Sequence, residues 1–188
     1  MHLTPTQKNI LLDTARDSIE HGLMEEKPLD VVPDDVAPGL RALGASFVTL
    51  TIAKALRGCI GSLEAVRPLI VDVAQHAYAA AFCDPRFRPL DPEEFARLTV
   101  HISVLSPSTP VPFESEESLA KALRPGVDGL IIARGQHRAT FLPAVWQSIP
   151  DRHQFIRHLK TKAGLPEAIH DYQARSYTVI EFSSSEEH

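Results

Sequence analysis

Apolar positions at the start of the chain recur with helical spacing: Leu11, Leu12, Ala15 and Ile19 fall on one side of a 3.6-residue wheel. Thr4 is placed to cap that helix, Pro5 suits its first turn, Gln7 completes a capping box, and Gly22 offers the stop. The pattern breaks at Pro28, Pro33 and Pro38, a connection too long for a hairpin and expected to wrap over the surface. Residues 45–53, Ala-Ser-Phe-Val-Thr-Leu-Thr-Ile-Ala, are apolar and β-branched and predict a buried strand. A turn at Lys54-Ala55 leads into an extended Leu56-Arg57-Gly58-Cys59-Ile60-Gly61. Pro68 opens a helix that runs to about Phe82, where Asp84-Pro85 ends it.

Farther along, Asp91-Pro92-Glu93-Glu94 has the grammar of a second capping box and predicts a short helix to about Leu98. Residues 99–105 follow as a strand. Pro107, Pro110 and Pro112 make a loop, and a helix beginning near Ser115 finishes before Pro125-Gly126. Two apolar runs, Gly126 to Ala133 and Arg138 to Leu142, bracket Arg134-Gly135-Gln136-His137 as a hairpin. A helix from about Asp151 to Ala163 stops at Gly164, a last strand spans Tyr177 to Phe182, and Ser183 to His188 is expected to be a polar tail. Helices and strands mixed irregularly, without a repeat of fixed period, point to α+β rather than a regular βαβ alternation.

Composition narrows the class. The 188 residues are 44% hydrophobic and 23% charged, ordinary for a globular chain and against disorder. With 19 Lys plus Arg against 24 Asp plus Glu, the net charge is -5, which disfavours a nucleic-acid partner. No apolar run reaches the roughly 18 residues that cross a bilayer. The N-terminus lacks the basic-then-apolar order of a signal peptide. Cys59 and Cys83 are the two cysteines, too few for a secreted disulfide framework, so reduced thiols in a cytoplasm are the expected state.

Leu56-Arg57-Gly58-Cys59-Ile60-Gly61 resembles the signature of the AMMECR domain family. It stands in an ordered series with Phe47-Val48-Thr49-Leu50 before it and Ala80-Ala81-Phe82, Asp84-Pro85-Arg86-Phe87 and Pro89-Leu90 after it. Ile102 to Ser106, Gly126-Val127-Asp128-Gly129, Phe141-Leu142-Pro143 with Val145-Trp146, and Lys162 to Leu165 resemble the remaining blocks in order. The likeness spans roughly residues 5 to 182. It implies one α+β domain over 1–182, with antiparallel sheets and flanking helices in two lobes sharing a core. It also implies kinship with AmmeMemoRadiSam system protein A, and hence Memo-like and radical SAM proteins as partners. It names no reaction. His101 departs from the pattern, standing where the resemblance leads one to expect an acidic residue.

The hexad suggests chemistry of its own. Glycine admits unusual dihedrals or close approach, so Gly58 and Gly61 are candidate ligand-binding positions. Residues two apart in an extended segment share a face, which would set Arg57 beside Cys59 and favour the nucleophilic thiolate. The competing reading makes Cys59 a small buried apolar residue and the glycines close-packing devices. On the following helix, Ile70, Ala74, Ala77 and Ala81 form an apolar side, while Asp72, His76 and Cys83 share the opposite stripe. Asp72 and His76, four apart, could pair, and if that stripe met Cys59 a Cys-His-Asp site would result; otherwise it is a solvated face.

Asp84 and Arg86 either shape a turn with Phe87 or rim the same cleft as Cys59 and bind a ligand. The cysteines and scattered histidines match no zinc spacing, and no metal or cofactor is expected. Gly126-Val127-Asp128-Gly129 lacks the lysine and spacing of a phosphate loop and is read as a strand entry, with Asp128 bonding its own backbone. Basic residues from Arg152 to Lys162 are read as a solvated face, and Trp146 as a core anchor. Two functions stay open: a thiol-centred enzyme or enzyme subunit with catalytic Cys59 and His76, acting on a small molecule with those partners, or a non-catalytic adaptor that grips a ligand with the same loop.

Overall fold

The structure, a computed structural model, describes residues 2–184. It divides into two compact units: residues up to Leu105 together with those from Ile180 onward, and Ser106–Val179.

The first unit opens with α1 (Pro5–Glu25), capped by the reciprocal Thr4 and Gln7 bonds that the sequence predicts. Gly22 does not stop it. A Cβ there would meet the rings of Phe82 and Tyr78 at 2.5 and 2.7 Å, so the glycine admits a close crossing. The cap falls on Glu26, at φ 55. The proline-rich connection carries a 3-10 turn at Pro33–Asp35 and a short α2 (Pro38–Arg41).

Then come β1 (Leu43–Ile52), β2 (Ala55–Gly61), β3 (Arg67–Pro68), α3 (Leu69–Phe82), α4 (Pro92–Phe95) and β4 (Leu98–Leu105). The β1–β2 turn sits at Ala53-Lys54, one residue earlier than the sequence suggests, with both residues at positive φ (48 and 67) as a tight primed hairpin turn requires. The Asp91–Glu94 capping box forms, but α4 stops at Phe95 because Leu98 already belongs to β4.

Strand order is β2-β1-β4-β9, with β3 pairing the start of β1; β9 spans Val179–Ser183. On β1 the even positions Ser46, Val48 and Leu50 are fully buried, while Phe47, Thr49 and Thr51 are half-buried on the other face. Val48 and Leu50 join Leu11, Ile19, Leu69, Val73, Val100 and Ile102 in the core beneath the sheet. Helix α3 packs against both β1 and α1, which buries it on nearly every side. The Asp72 and His76 stripe is therefore interior and not a solvated face.

The second unit contains β5 (Thr109–Pro110), α5 (Glu116–Ala122), β6 (Gly129–Arg134), β7 (His137–Phe141), a 3-10 turn at Pro143–Gln147, α6 (Arg152–Lys162) and β8 (Gln173–Tyr177). Its sheet runs β5-β8-β6-β7. Strand β8 escapes sequence reading because Gln173-Ala-Arg-Ser-Tyr lacks an apolar run; pairing with β6 and β5 makes it a strand. Trp146 stacks on Phe155 at 3.7 Å and donates its Nε1–H to the Asp128 carbonyl at 2.7 Å, so it is a core anchor. The Asp128 carboxylate accepts from the Arg124 backbone and guanidinium instead of its own backbone.

Each unit has its own apolar cluster. The expected polar tail begins late: Ser183 ends β9, Ser184 donates its N–H to the Val100 carbonyl, and the rest lies outside the described residues.

Candidate functional site

Strand alternation decides which side chains meet Cys59. It opposes Thr49 across the β1–β2 ladder, so its thiol shares the outer face of the sheet, away from α3. The Thr49 hydroxyl donates to Cys59 Sγ at 3.1 Å, and the cysteine is half-buried.

His76 lies beneath the sheet. Its Nδ1 is 3.1 Å from Asp72 Oδ2, an oxygen that also accepts from the Ser46 N–H and Oγ–H at 2.9 and 2.7 Å. Arg67 Nε stands 3.2 Å from the other Asp72 oxygen. The carboxylate–imidazole pair thus forms as the sequence suggests, but it ties α3 to β1, and the sheet separates it from the sulfur. The Cys-His-Asp arrangement with His76 is not assembled.

Arg57 is also displaced from the expected place. The register slips between Leu50, opposite Gly58, and Thr51, opposite Leu56, leaving Arg57 unopposed in a bulge. The bulge breaks the alternation that would set Arg57 beside Cys59. The buried guanidinium forks onto Glu94, Nε and Nη2 each 2.9 Å from a carboxylate oxygen, and Nη2 also donates to the Arg88 carbonyl at 2.8 Å. That bond to Arg57, outweighing burial, holds the Glu94 carboxyl below its ordinary range.

The glycines serve packing. A Cβ on Gly58 would lie 2.0 Å from the Ala80 carbonyl oxygen, and one on Gly61 would strike the Phe47 ring at 2.4 Å. The close approach expected of them is to the protein itself.

Asp84 and Arg86 do reach Cys59, through its backbone. Buried Asp84 accepts the Cys59 N–H on Oδ2 at 2.9 Å. Arg86 clasps the same carboxylate with Nε and Nη2 at 2.9 and 2.7 Å, and Nη2 stands 3.4 Å from the Cys59 carbonyl oxygen. Because β2 ends the strand order, its outward-facing groups at Cys59 need partners, and these two side chains supply them. The Arg86 guanidinium, helped by the Cys59 and Arg86 backbone N–H groups, holds the Asp84 carboxyl far below the usual carboxylate range despite its burial.

The outer face carries further polar side chains beside Cys59. Thr49 opposes Cys59 on one side and His101 on the other, so Cys59, Thr49 and His101 form one row over β2, β1 and β4. His101 Nε2 is 3.0 Å from the Thr51 hydroxyl. Thr49 and Thr51 were recoverable from sequence: with Val48 and Leu50 inward, the threonines between and after them must face out.

In the second unit, Lys160 departs from the expected solvated face. It is 1% exposed and binds Glu116 and the Glu167 carbonyl beside a cavity of about 80 Å³. Among the described residues, no group of three or more His, Cys, Asp or Glu could hold a metal ion. No described helix is long and apolar enough to cross a membrane.

Comparison with known proteins places this geometry in a family. The AMMECR1 family model matches residues 12–186, and the chain belongs to that family. A protein of Methanothermobacter thermautotrophicus is 39% identical, over 93% of this chain and 92% of its own length. One of Thermotoga maritima is 34% identical, over 81% of this chain and 83% of its own. The crystal structure of an uncharacterized protein from Pyrococcus horikoshii superimposes with a TM-score of 0.82 at 32% identity, covering 94% of this chain and 90% of that one.

Proposed function

We propose that the outer sheet face carries a thiol-centred site at which Cys59 attacks an electrophilic carbon of a small molecule. The sulfur's electron pair forms the new bond, and the leaving group departs with the pair it shared with that carbon. The supporting observation is the Thr49 hydroxyl aimed at Sγ from 3.1 Å on a half-buried face. A cysteine kept only for packing would sit inside the apolar cluster, and Cys59 is outside it. Asp84 and Arg86 act as positioning residues, holding the N–H and carbonyl of Cys59 from the strand edge.

The thiol works reduced, in a cytoplasm, as part of the AmmeMemoRadiSam system with Memo-like and radical SAM partners. That partnership rests on the family resemblance, and co-purification with tagged partners tests it separately from the chemistry.

The thiol reading is tested by alkylation with iodoacetamide at pH 7, followed by mass spectrometry. Cys83 is exposed and serves as the internal standard. Cys59, although less accessible, is expected to react faster. A slower Cys59 would remove the enzymatic reading and leave the hexad to architecture or to binding.

A further inference from the structure

We infer that His101 is the acid–base partner of Cys59, accepting the thiol proton as sulfur attacks and returning it to the departing group. This rests on the thiol reading above and deepens it by replacing the histidine.

The case is one of placement. His76 is shut off by the sheet, whereas His101 stands on the thiol's own face and in its row, with Thr49 between them. Two strand spacings of ~4.8 Å put the two Cα atoms roughly 10 Å apart. Allowing for the reach of an imidazole and a Cβ–Sγ bond, a gap of about one bridging water or one substrate oxygen remains, the separation over which a general base still acts. The ring is aimed by the 3.0 Å contact between Nε2 and the Thr51 hydroxyl, in the neighbouring row. His101 is half-buried, shielded enough to hold one orientation and open enough to exchange a proton.

Other charged groups around this face are few. Glu181 on β9 accepts from Ser103 at 3.5 Å, and Arg86 lies at the edge of β2, occupied by Asp84. The elements beside His101, β1 and β9, bring Thr49, Thr51 and Glu181, while α3 packs on the opposite face. Imidazole is the side chain whose ordinary range serves both directions of transfer near neutral pH, which a carboxylate at this position would not.

The step balances. The Sγ proton passes to Nε2 through the bridging oxygen, and sulfur's electron pair bonds the carbon. The leaving group departs with its electron pair and takes a proton from Nε2–H, so the ring ends as it began.

The experiment compares iodoacetamide alkylation of Cys59 and Cys83 in wild type, His101→Gln and Thr51→Val, at pH 7 and at pH 9.5. With general-base help removed, His101→Gln is expected to slow Cys59 about a hundredfold at pH 7, the low end of such effects, and to approach wild type at pH 9.5, where hydroxide replaces the base. Cys83 is expected to react alike in all three proteins at each pH. Equal Cys59 rates in wild type and His101→Gln at pH 7 would overturn the inference, as would the same slowing at both pH values, which marks a structural role. If His101→Gln does not fold, Thr51→Val decides: it keeps the imidazole but frees it, and a Cys59 rate unchanged at pH 7 overturns the assignment. A wild-type Cys59 slower than Cys83 overturns the thiol reading itself, a separate result.

Discussion

At Gly58 the space for a side chain is already taken by the Ala80 carbonyl oxygen, 2.0 Å from where a Cβ would sit. Backbone cannot swing aside as a side chain can. Gly58→Ala is therefore expected to destabilise the protein by at least about 2 kcal/mol, within the range for overpacked sites, read as a lowered urea midpoint. Gly61→Ala meets chiefly the Phe47 ring, although the Ser46 carbonyl oxygen also lies 2.5 Å away. The hexad was legible in the sequence as a family mark and as an extended segment. What its glycines make room for was not, because glycine reads alike whether it admits a ligand or a neighbouring helix.

At the scale of elements, one bulge and one edge explain most of what the sequence left hidden. A regular β2 would put Arg57 and Cys59 on the same side; as the unpaired residue between the Leu50 and Thr51 pairs, Arg57 turns to Glu94 instead. No local pattern announces such a slip, since it is set by pairing between strands. The His76 face was hidden for a related reason: a wheel shows that Asp72 and His76 align, but α3 is enclosed on both sides, so even its polar stripe is interior. Capping boxes at Thr4, Asp91 and Ser115 form within four-residue windows, and two of them could be read directly.

The edge of β2 has a pH consequence. Asp84 and Glu94 both have carboxyls lowered in the fold by arginine partners, Arg86 and Arg57 respectively. The unfolded chain then binds more protons than the native one below the ordinary carboxylate range, so stability rises with pH there. Their contribution is complete above about pH 5 and is lost as pH falls through the depressed native values. Urea midpoints between pH 2 and 6 are expected to fall toward acid, and Asp84→Asn is expected to flatten that slope while lowering stability at pH 7.

Across the whole molecule, two apolar clusters divide the work, Leu3 through Val104 for one unit and Leu119 through Ala174 for the other. The order of elements and the α+β class were legible from apolar pattern, caps and prolines, and the likeness over roughly residues 5 to 182 agreed with them. The second unit is continuous in sequence, from Ser106 to Val179. Expressed alone, residues 106–179 are expected to keep a cooperative thermal transition and the near-ultraviolet signal of Trp146 stacked on Phe155. A fragment without either signal would show that the second cluster needs the rest of the chain. The ends of this stretch are laced together: the Ser106 N–H reaches the Thr178 carbonyl at 2.9 Å and the Thr178 N–H reaches the Ser106 hydroxyl at 2.9 Å, just where β4 leaves and β9 enters adjoining lanes of the first sheet. Both ends of residues 106–179 are thus pinned to each other, so the stretch is closed on itself and tolerates exchange as one block.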